Sequence, residues 1–531
     1  MKWIEETMRA NGITKVPLTH NDYRAGGQFA SGPAKVDLYA WDGYPLGFDC
    51  SHPTVWKEVD SGLNFAHSWY NPAEPLYLAE YQGGAFDPWN GPGYSACYSL
   101  VNEQFANVFY KNNYAAGTSL QSLYMTYGGT NWGNLATPTV YTSYDYGAAI
   151  SEDRSLTPKF AEIKLQSLFL HASPHYHLAD RIDASMSLTN SSQVFTTNLA
   201  TTSGQNFYIV RQTTNANTAR VEFSMRVNTT TGVITIPQFA GGGIMALAGR
   251  ESKIIVTEYP FGGSVLRYTT AEVATWAIFD GIDHIVLYAR DQMIEAVVPT
   301  NATNITSSTS SISSNIANGT AVITGAPPAS GLALVKFGRT AVWIADKTWL
   351  APRIWAPRVG SETNGNGRYE LGSRTDAVWV FGPYLVRNAT VDGSNVALVG
   401  DLRSGATTEI EVVAPVGVQG VMWNGEAVAV SMTPLGTLKG TIVVRDLTPQ
   451  LPDLRAAEWR CTNSLPEIEV DFDDSEWMVA DKNITRRPNV YQPFGGKWIL
   501  YADEYGYHQG NLLYRGYFEG NATGLNLSVQ G

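Results

Sequence analysis

Residues 75–84 read Pro-Leu-Tyr-Leu-Ala-Glu-Tyr-Gln-Gly-Gly, "PLYLAEYQGG". A short apolar run ends on a carboxylate, Glu80, and the two glycines after it permit a sharp turn. In a β-strand, side-chain direction repeats every two residues. Leu76, Leu78 and Glu80 are therefore expected on one face, with Glu80 at the C-terminal lip. Where strands alternate with helices, the strand C-termini and the loops after them form the usual site. Two readings stay open on this pattern alone: a catalytic carboxylate on a rigid strand, or a charge that caps a strand edge or pairs with an arginine.

Outward from this stretch, strands are predicted at 14–19 (TKVPLT), 35–40 (KVDLYA), 75–80 and 121–127 (QSLYMTY). Helices are predicted at 2–11, 99–112 and 158–173, the last with Pro158 in its first turn. Strands followed by helices imply a parallel sheet with helices outside. Four such strands fit half of a (β/α)8 barrel or a small open sheet, and periodicity does not choose. After residue 178 the pattern turns to strands, among them GQNFYIVRQT, ESKIIVTEYP, HIVLYARD, TDAVWVFGPYLV and TTEIEVVAPVG. The Ser/Thr/Asn-rich segment 299–320 is expected to be an exposed loop or hairpin rim.

The chain has 531 residues, too many for one hydrophobic core, and is 44% hydrophobic and 12% aromatic, enough to build several. Only 16% of residues are charged and the formal net charge is -12, which argues against a nucleic-acid or anionic-membrane partner and suits a neutral ligand. No apolar run is long enough to span a bilayer, and the start, MKWIEETMRANG, has no signal-peptide core. Nine Asn-x-Ser/Thr sites occur, none before Asn190, and Cys50, Cys97 and Cys461 are too few for a disulfide scaffold.

The other predicted strand ends carry Asn21-Asp22-Tyr23, Trp41-Asp42-Gly43-Tyr44, and Tyr124, Tyr127, Asn131 and Trp132, with Tyr144-Asp145-Tyr146 beyond. Tyr81, Phe86 and Trp89 flank Glu80. Amides, carboxylates and aromatics with little positive charge fit a carbohydrate: aromatic faces cover the apolar side of a sugar ring while polar groups order its hydroxyls. A metal site from His20 and His52 with Asp22 and Asp49 is a weaker alternative, unsupported by HExxH or paired-cysteine spacing. His171, His175 and His177 are expected to cap a helix or face solvent. No serine-hydrolase elbow and no phosphate or dinucleotide fingerprint stands in context.

The run VDLYAWDGYPLGFDC…PLYLAEYQGGAFDPWNGPGYSAC…LYMTYGGTNWG…YTSYDYGAAI resembles the fungal branch of glycoside hydrolase family 35, the large secreted β-galactosidases. YQPFGGKWILYADEYGYHQGNLLYRGYFEG is similar to the start of one of that family's jelly-roll modules. The resemblance implies the C-terminal half of a (β/α)8 TIM barrel over 1–177 (strands five to eight), a β-rich domain over 178–355, a small β-sandwich over 356–444, and the start of a truncated jelly roll over 445–531. It makes Glu80 the nucleophile of a retaining exo-hydrolase of terminal β-D-galactose. It makes Tyr44, Tyr124 and Tyr146 substrate-binding residues, and Cys50 and Cys97 a disulfide. It requires no cofactor and no metal. The family's acid/base glutamate lies in an Asn-Glu motif upstream of Met1, so the isolated chain is expected to be inactive although its parent enzyme is a secreted β-galactosidase. β-Galactosides or galactose-bearing polysaccharides are the expected partners. A non-catalytic carbohydrate-binding β-domain protein, or a retaining glycosidase for another β-linked sugar, are the alternatives.

Overall fold

The part of the molecule around Glu80 is built on four parallel strands in the order β1 (Thr19–Asp22), β2 (Leu38–Gly43), β3 (Leu76–Gln82) and β4 (Thr118–Tyr124). The computed structural model describes residues 2–88, 90–132, 142–359, 376–403, 407–443, 451–485, 498–507 and 512–520. They form two units: Met1–Gly129 with Asp145–Asp446, and Thr130–Tyr144 with Leu447–Gly531.

In the first unit, α1 (Lys2–Ala10) precedes the sheet and buries no residue. β2 returns to β3 through α2 (Leu63–Tyr70). β3 returns to β4 through α3 (Tyr94–Leu100), α4 (Glu103–Phe105), a π-turn at Ala106–Tyr110, and α5 (Lys111–Ala115). Parallel strands need such crossovers. Tyr39, Trp41, Leu76 and Leu78 pack with Leu100, Val101, Phe105 and Phe109 into one core. After β4 comes α6 (Pro158–Ala172), whose first turn is closed by the Thr157 hydroxyl accepting from the Phe160 amide.

Five local readings need correction, two of them shifts of three residues: the second strand runs Leu38–Gly43 rather than 35–40, and the fourth Thr118–Tyr124 rather than 121–127. The first strand begins at Thr19, not at 14: Pro17 lacks an amide donor, so TKVPLT cannot pair along its length. The helix predicted over 99–112 breaks at Val101 and again into the π-turn, all of whose residues are buried. α2 is not expected from the sequence, because LNFAHSWY mixes strand- and helix-favouring residues.

The rest of the unit is almost entirely β. An eight-stranded sheet runs from an edge hairpin (Ile312–Ala317 and Thr320–Gly325) to Asp180–Ser185, so the Ser/Thr/Asn-rich segment supplies part of a hairpin rim. A five-stranded sheet containing Glu272–Phe279 and Ile282–Ala289 packs beside it, and two further sheets of five and four strands follow over Ile354–Ile442. Buried ion pairs join the helical and β parts. Lys111 of α5 reaches Glu272 at 2.5 Å and the Ser252 carbonyl at 2.8 Å, and Glu162 of α6 meets Lys347 at 2.9 Å. Removing one partner of such a pair strands a buried charge, so these contacts fix α5 against the β sheet and α6 against the helix that begins at Lys347.

In the second unit, the described residues between 451 and 520 form short 3-10 turns and no strand. Trp459, Val470, Met478, Val479, Tyr517 and Phe518 are exposed there, and Ile499 is buried.

Candidate active site

Glu80 stands near the C-terminal end of β3, but strict alternation does not put it there. In the β2–β3 ladder Trp41 faces Leu78 and the next residue, Asp42, faces Glu80, so β3 carries one extra residue. Such a bulge re-aims the side chains beyond it. Tyr81 and Gln82 are accordingly both buried while Glu80 is half-buried. Its carboxylate accepts a bond from Asn21 Nδ2 of β1 on Oε2 at 3.0 Å, and another from the Tyr44 hydroxyl on Oε1. Among the described residues no lysine or arginine pairs with it.

The Tyr44 phenol is pushed far above its ordinary pKa by burial and then by its bond to Glu80, so it stays protonated and donates. The Tyr146 phenol lies near enough to Tyr44 to raise its pKa further. The Tyr124 and Tyr146 rings meet edge to face, centroids 5.2 Å apart. Glu80, Tyr44, Tyr146 and Tyr124 thus form one connected group. Tyr146 holds φ at +65°, a costly conformation for a bulky residue and of the kind that clusters at functional sites. The Tyr124–Met125 peptide is cis.

The two glycines after Gln82 are needed for close approach rather than for a positive φ. A Cβ on Gly84 would lie 2.0 Å from the Tyr146 carbonyl oxygen, and one on Gly83 would lie 2.6 Å from that of Met125. The backbone is knitted through the same contacts, Gly83 N to Tyr124 O and Ala85 N to Tyr146 O, both at 2.8 Å.

Three further acids lie at the strand ends or in the loops beyond. Asp22 is buried and accepts from the Tyr39 hydroxyl at 2.9 Å. Asp145 accepts from the amides of Gly147 and Glu152, tying its own turn. Asp42 differs. Its Oδ1 has no hydrogen-bond partner among the described residues, and burial, then the Glu80 charge, pushes its pKa up to about 6 against the lowering influence of Asn21.

Several aromatics expected around a sugar are placed otherwise. Trp41 and Tyr81 are core residues. Tyr23 and Tyr127 are exposed, and Trp132 and Tyr144 belong to the second unit. Trp89 lies outside the described residues. His20 stacks on Phe29 at 3.8 Å and His52 pairs with Asp49 at 2.8 Å. Among the described residues no three His, Cys, Asp or Glu side chains are grouped as a metal ion requires. His177 bonds the Leu170 carbonyl at the end of α6. A disulfide joins Cys50, after the Tyr44 turn, to Cys97 of α3, and Cys461 is free and exposed. A cavity of about 390 Å³ between α6, α7 (Lys347–Arg353) and Trp355 does not have Glu80 in its lining. No apolar helix among the described residues is long enough to cross a membrane.

A half-buried carboxylate held by two neutral donors thus stands at the end of β3, and comparison with known proteins finds similarity to glycoside hydrolases. Residues 1–168 match the family "Glycosyl hydrolases family 35". Residues 178–349 match "Beta-galactosidase, domain 2", 355–439 match "domain 3", and 472–531 match the "second all-beta domain". Segment by segment, the chain is thus similar to family 35 β-galactosidases. It is 37% identical to β-galactosidase A of Aspergillus oryzae over 98% of this chain and 52% of that protein. It is 37% identical to β-galactosidase A of a Penicillium species over 100% and 53%, and 36% identical to a probable β-galactosidase C of Aspergillus niger over the same shares. The chain spans about half the length of these curated relatives.

Gln82 and Lys159, both fully buried, carry no signal in the sequence beyond Gln82 lying two residues from Glu80.

Proposed function

We propose that this chain carries the nucleophile half of a retaining exo-β-galactosidase acting on terminal, non-reducing β-D-galactose. In this reading β1–β4 are strands five to eight of a (β/α)8 barrel, and the β regions after residue 177 are accessory domains. Glu80 attacks the anomeric carbon and forms a galactosyl-enzyme ester. Tyr44 steadies the attacking carboxylate, and Tyr124 and Tyr146 line the galactose. A second carboxyl about 5 Å away protonates the leaving oxygen and then activates water. That acid/base is proposed to lie outside this chain: Asp22 and Asp145 are committed to local bonds, and Asp42 sits beside the nucleophile within the sheet rather than across a sugar from it. The observation that carries the reading is the pair of neutral donors, Asn21 and Tyr44, on the two oxygens of Glu80. They orient an anion without neutralising it. No metal or organic cofactor enters the scheme.

The substrates proposed are β-galactosides and galactose-bearing polysaccharides, met outside the cell. The Cys50–Cys97 bridge suits an oxidising compartment, and the seven acceptor asparagines within the described residues (Asn190, Asn228, Asn301, Asn304, Asn318, Asn388 and Asn483) are all exposed.

The nucleophile can be tested apart from the acid, because a dinitrophenolate leaving group departs without protonation. Incubating the chain with 2,4-dinitrophenyl 2-deoxy-2-fluoro-β-galactoside should add one fluorogalactosyl group to the peptide containing Glu80, while p-methoxyphenyl β-galactoside is not hydrolysed. Labelling elsewhere, or none, defeats the nucleophile assignment. Turnover of the methoxyphenyl substrate by the monomeric chain defeats the claim that the acid/base is absent. A carbohydrate-binding protein without catalysis predicts sugar binding and no adduct.

A further inference from the structure

Three loops must keep fixed distances for the site to work: the Tyr44 turn, the stretch after Glu80, and the turn at Asp145–Gly147. None is secured by the sheet ladder alone. Two buried polar side chains hold them.

Gln82 has no exposed surface. Its Oε1 accepts from the Leu46 amide at 3.1 Å, and its Nε2 donates to the carbonyls of Gly47 at 2.6 Å and Gly84 at 3.1 Å. Its own carbonyl accepts from the Tyr110 hydroxyl at 3.0 Å. One side chain thus closes the turn that presents Tyr44 onto the strand that presents Glu80, and anchors the glycine turn as well. Lys159, on the first turn of α6, also has no exposed surface. Its ammonium donates to the carbonyls of Gly83 and Gly147, both at 2.6 Å, and lies 5.6 Å from the centre of the Tyr98 ring. Gly147 follows Tyr146, and Gly83 follows Gln82. Lys159 therefore ties the Tyr146 loop to the same strand end.

Among the described residues no carboxylate touches this lysine, which makes it an expensive group to bury, and burial lowers its pKa to about 7 against the pull of Asp145 and Glu103. An apolar side chain would fill that space at lower cost, and so would one in place of Gln82. What these two supply is bonds to carbonyls and an amide of three separate loops, at places where no regular ladder reaches.

We infer that Gln82 and Lys159 are positioning residues that set the Tyr44–Glu80 and Tyr146–Glu80 geometry, acting through backbone groups and touching no substrate. The inference rests on the reading of Glu80 and Tyr44 as the sugar site.

The test uses the chain labelled with ζ-¹³C tyrosine, with Tyr44 assigned from Tyr44→Phe, and the galactose-configured iminosugar 1-deoxygalactonojirimycin as probe. Gln82→Leu keeps the volume and removes all three side-chain bonds. It should speed amide exchange across residues 44–50, and move the Tyr44 resonance to its position in Glu80→Gln. It should also weaken iminosugar binding about 10-fold or more, since a displacement of about 1 Å can cost 100-fold in a positioned site. Exchange in α5 should not change, and binding is measured well below the melting temperature so that general destabilisation does not register. Lys159→Met should speed exchange across 145–150, weaken iminosugar binding, and move the Tyr44 resonance less far than Gln82→Leu does; if it does not fold, Gln82→Leu decides. An unmoved Tyr44 resonance, or full affinity with a loosened loop, overturns the inference while the site reading stands. No iminosugar binding by the unsubstituted chain, or binding indifferent to Glu80→Gln, overturns the site reading and the inference with it.

Discussion

Asp283 and Glu80 are both carboxylates set in strands, and the molecule treats them in opposite ways. Asp283 is wholly buried and accepts four bonds: two from the Arg339 guanidinium at 2.9 and 3.1 Å, one from the Gly263 amide at 3.1 Å, and one from the Ser264 hydroxyl at 2.7 Å. Glu80 is half-buried and accepts two, both from neutral groups. A carboxylate offers about four acceptor sites. Asp283 has committed all of them to the fold and faces a cation. Glu80 keeps about half, facing the rim, and meets no cation among the described residues. On the proposed reading, spare accepting capacity beside neutral donors is what separates Glu80 from a carboxylate held for stability.

The largest expected break in this comparison comes from Glu80→Gln. In an enzyme with its second carboxyl present, turnover should fall by at least about 10⁴-fold, as when a nucleophile or its partner is removed from a hydrolase. The melting temperature should be nearly unchanged, because only neutral donors lose an anionic acceptor. Asp283→Asn should do the reverse. Loss of charged hydrogen bonds there should lower the unfolding free energy by about 1.5–3 kcal/mol, measured by denaturant titration, with turnover per folded molecule preserved. Tyr44→Phe tests the neutral clamp. Removing one bond to a charged acceptor predicts a fall of about 10- to 100-fold in kcat with a smaller change in KM.

The smallest effect concerns Asp42. Its folded pKa, raised to about 6, exceeds the ordinary value of 3.8. The folded state therefore holds more protons than the unfolded state between those values, and the stability tied to that proton is lost as pH rises through 6. Asp42→Asn should leave the melting temperature unchanged below pH 3.8 and raise it relative to the parent above pH 6. A gap that stays constant from about pH 3.5 to 8 would show that neither burial nor the Glu80 charge raises the Asp42 pKa.

Much of this was legible in the sequence. The switch from strand-helix alternation to strands near residue 178, the helix starting at Pro158, and the carboxylate before two glycines follow from periodicity and turn chemistry. What was not legible depends on partners distant in sequence. The extra residue in β3 shows only when Trp41 and Asp42 are set against Leu78 and Glu80. The need for glycine at 84 shows only against the Tyr146 carbonyl, 62 positions away. Gln82 and Lys159 look like ordinary polar residues until their bonds are seen. Trp41 and Tyr81 mislead the other way: aromatic residues near a strand end read as sugar platforms, and the sheet buries them from both sides, as parallel strands usually are.

The bridge between Cys50 and Cys97 closes a covalent ring of 47-residue span that contains α2 and the whole of β3. A protease cut in that ring divides the polypeptide without separating the pieces, and a nicked molecule would run at full length on a gel until a thiol is added. Damage to the α2 surface would then leave Glu80 fastened on both flanks, so that reduction, rather than cleavage, becomes the event that lets the pieces part.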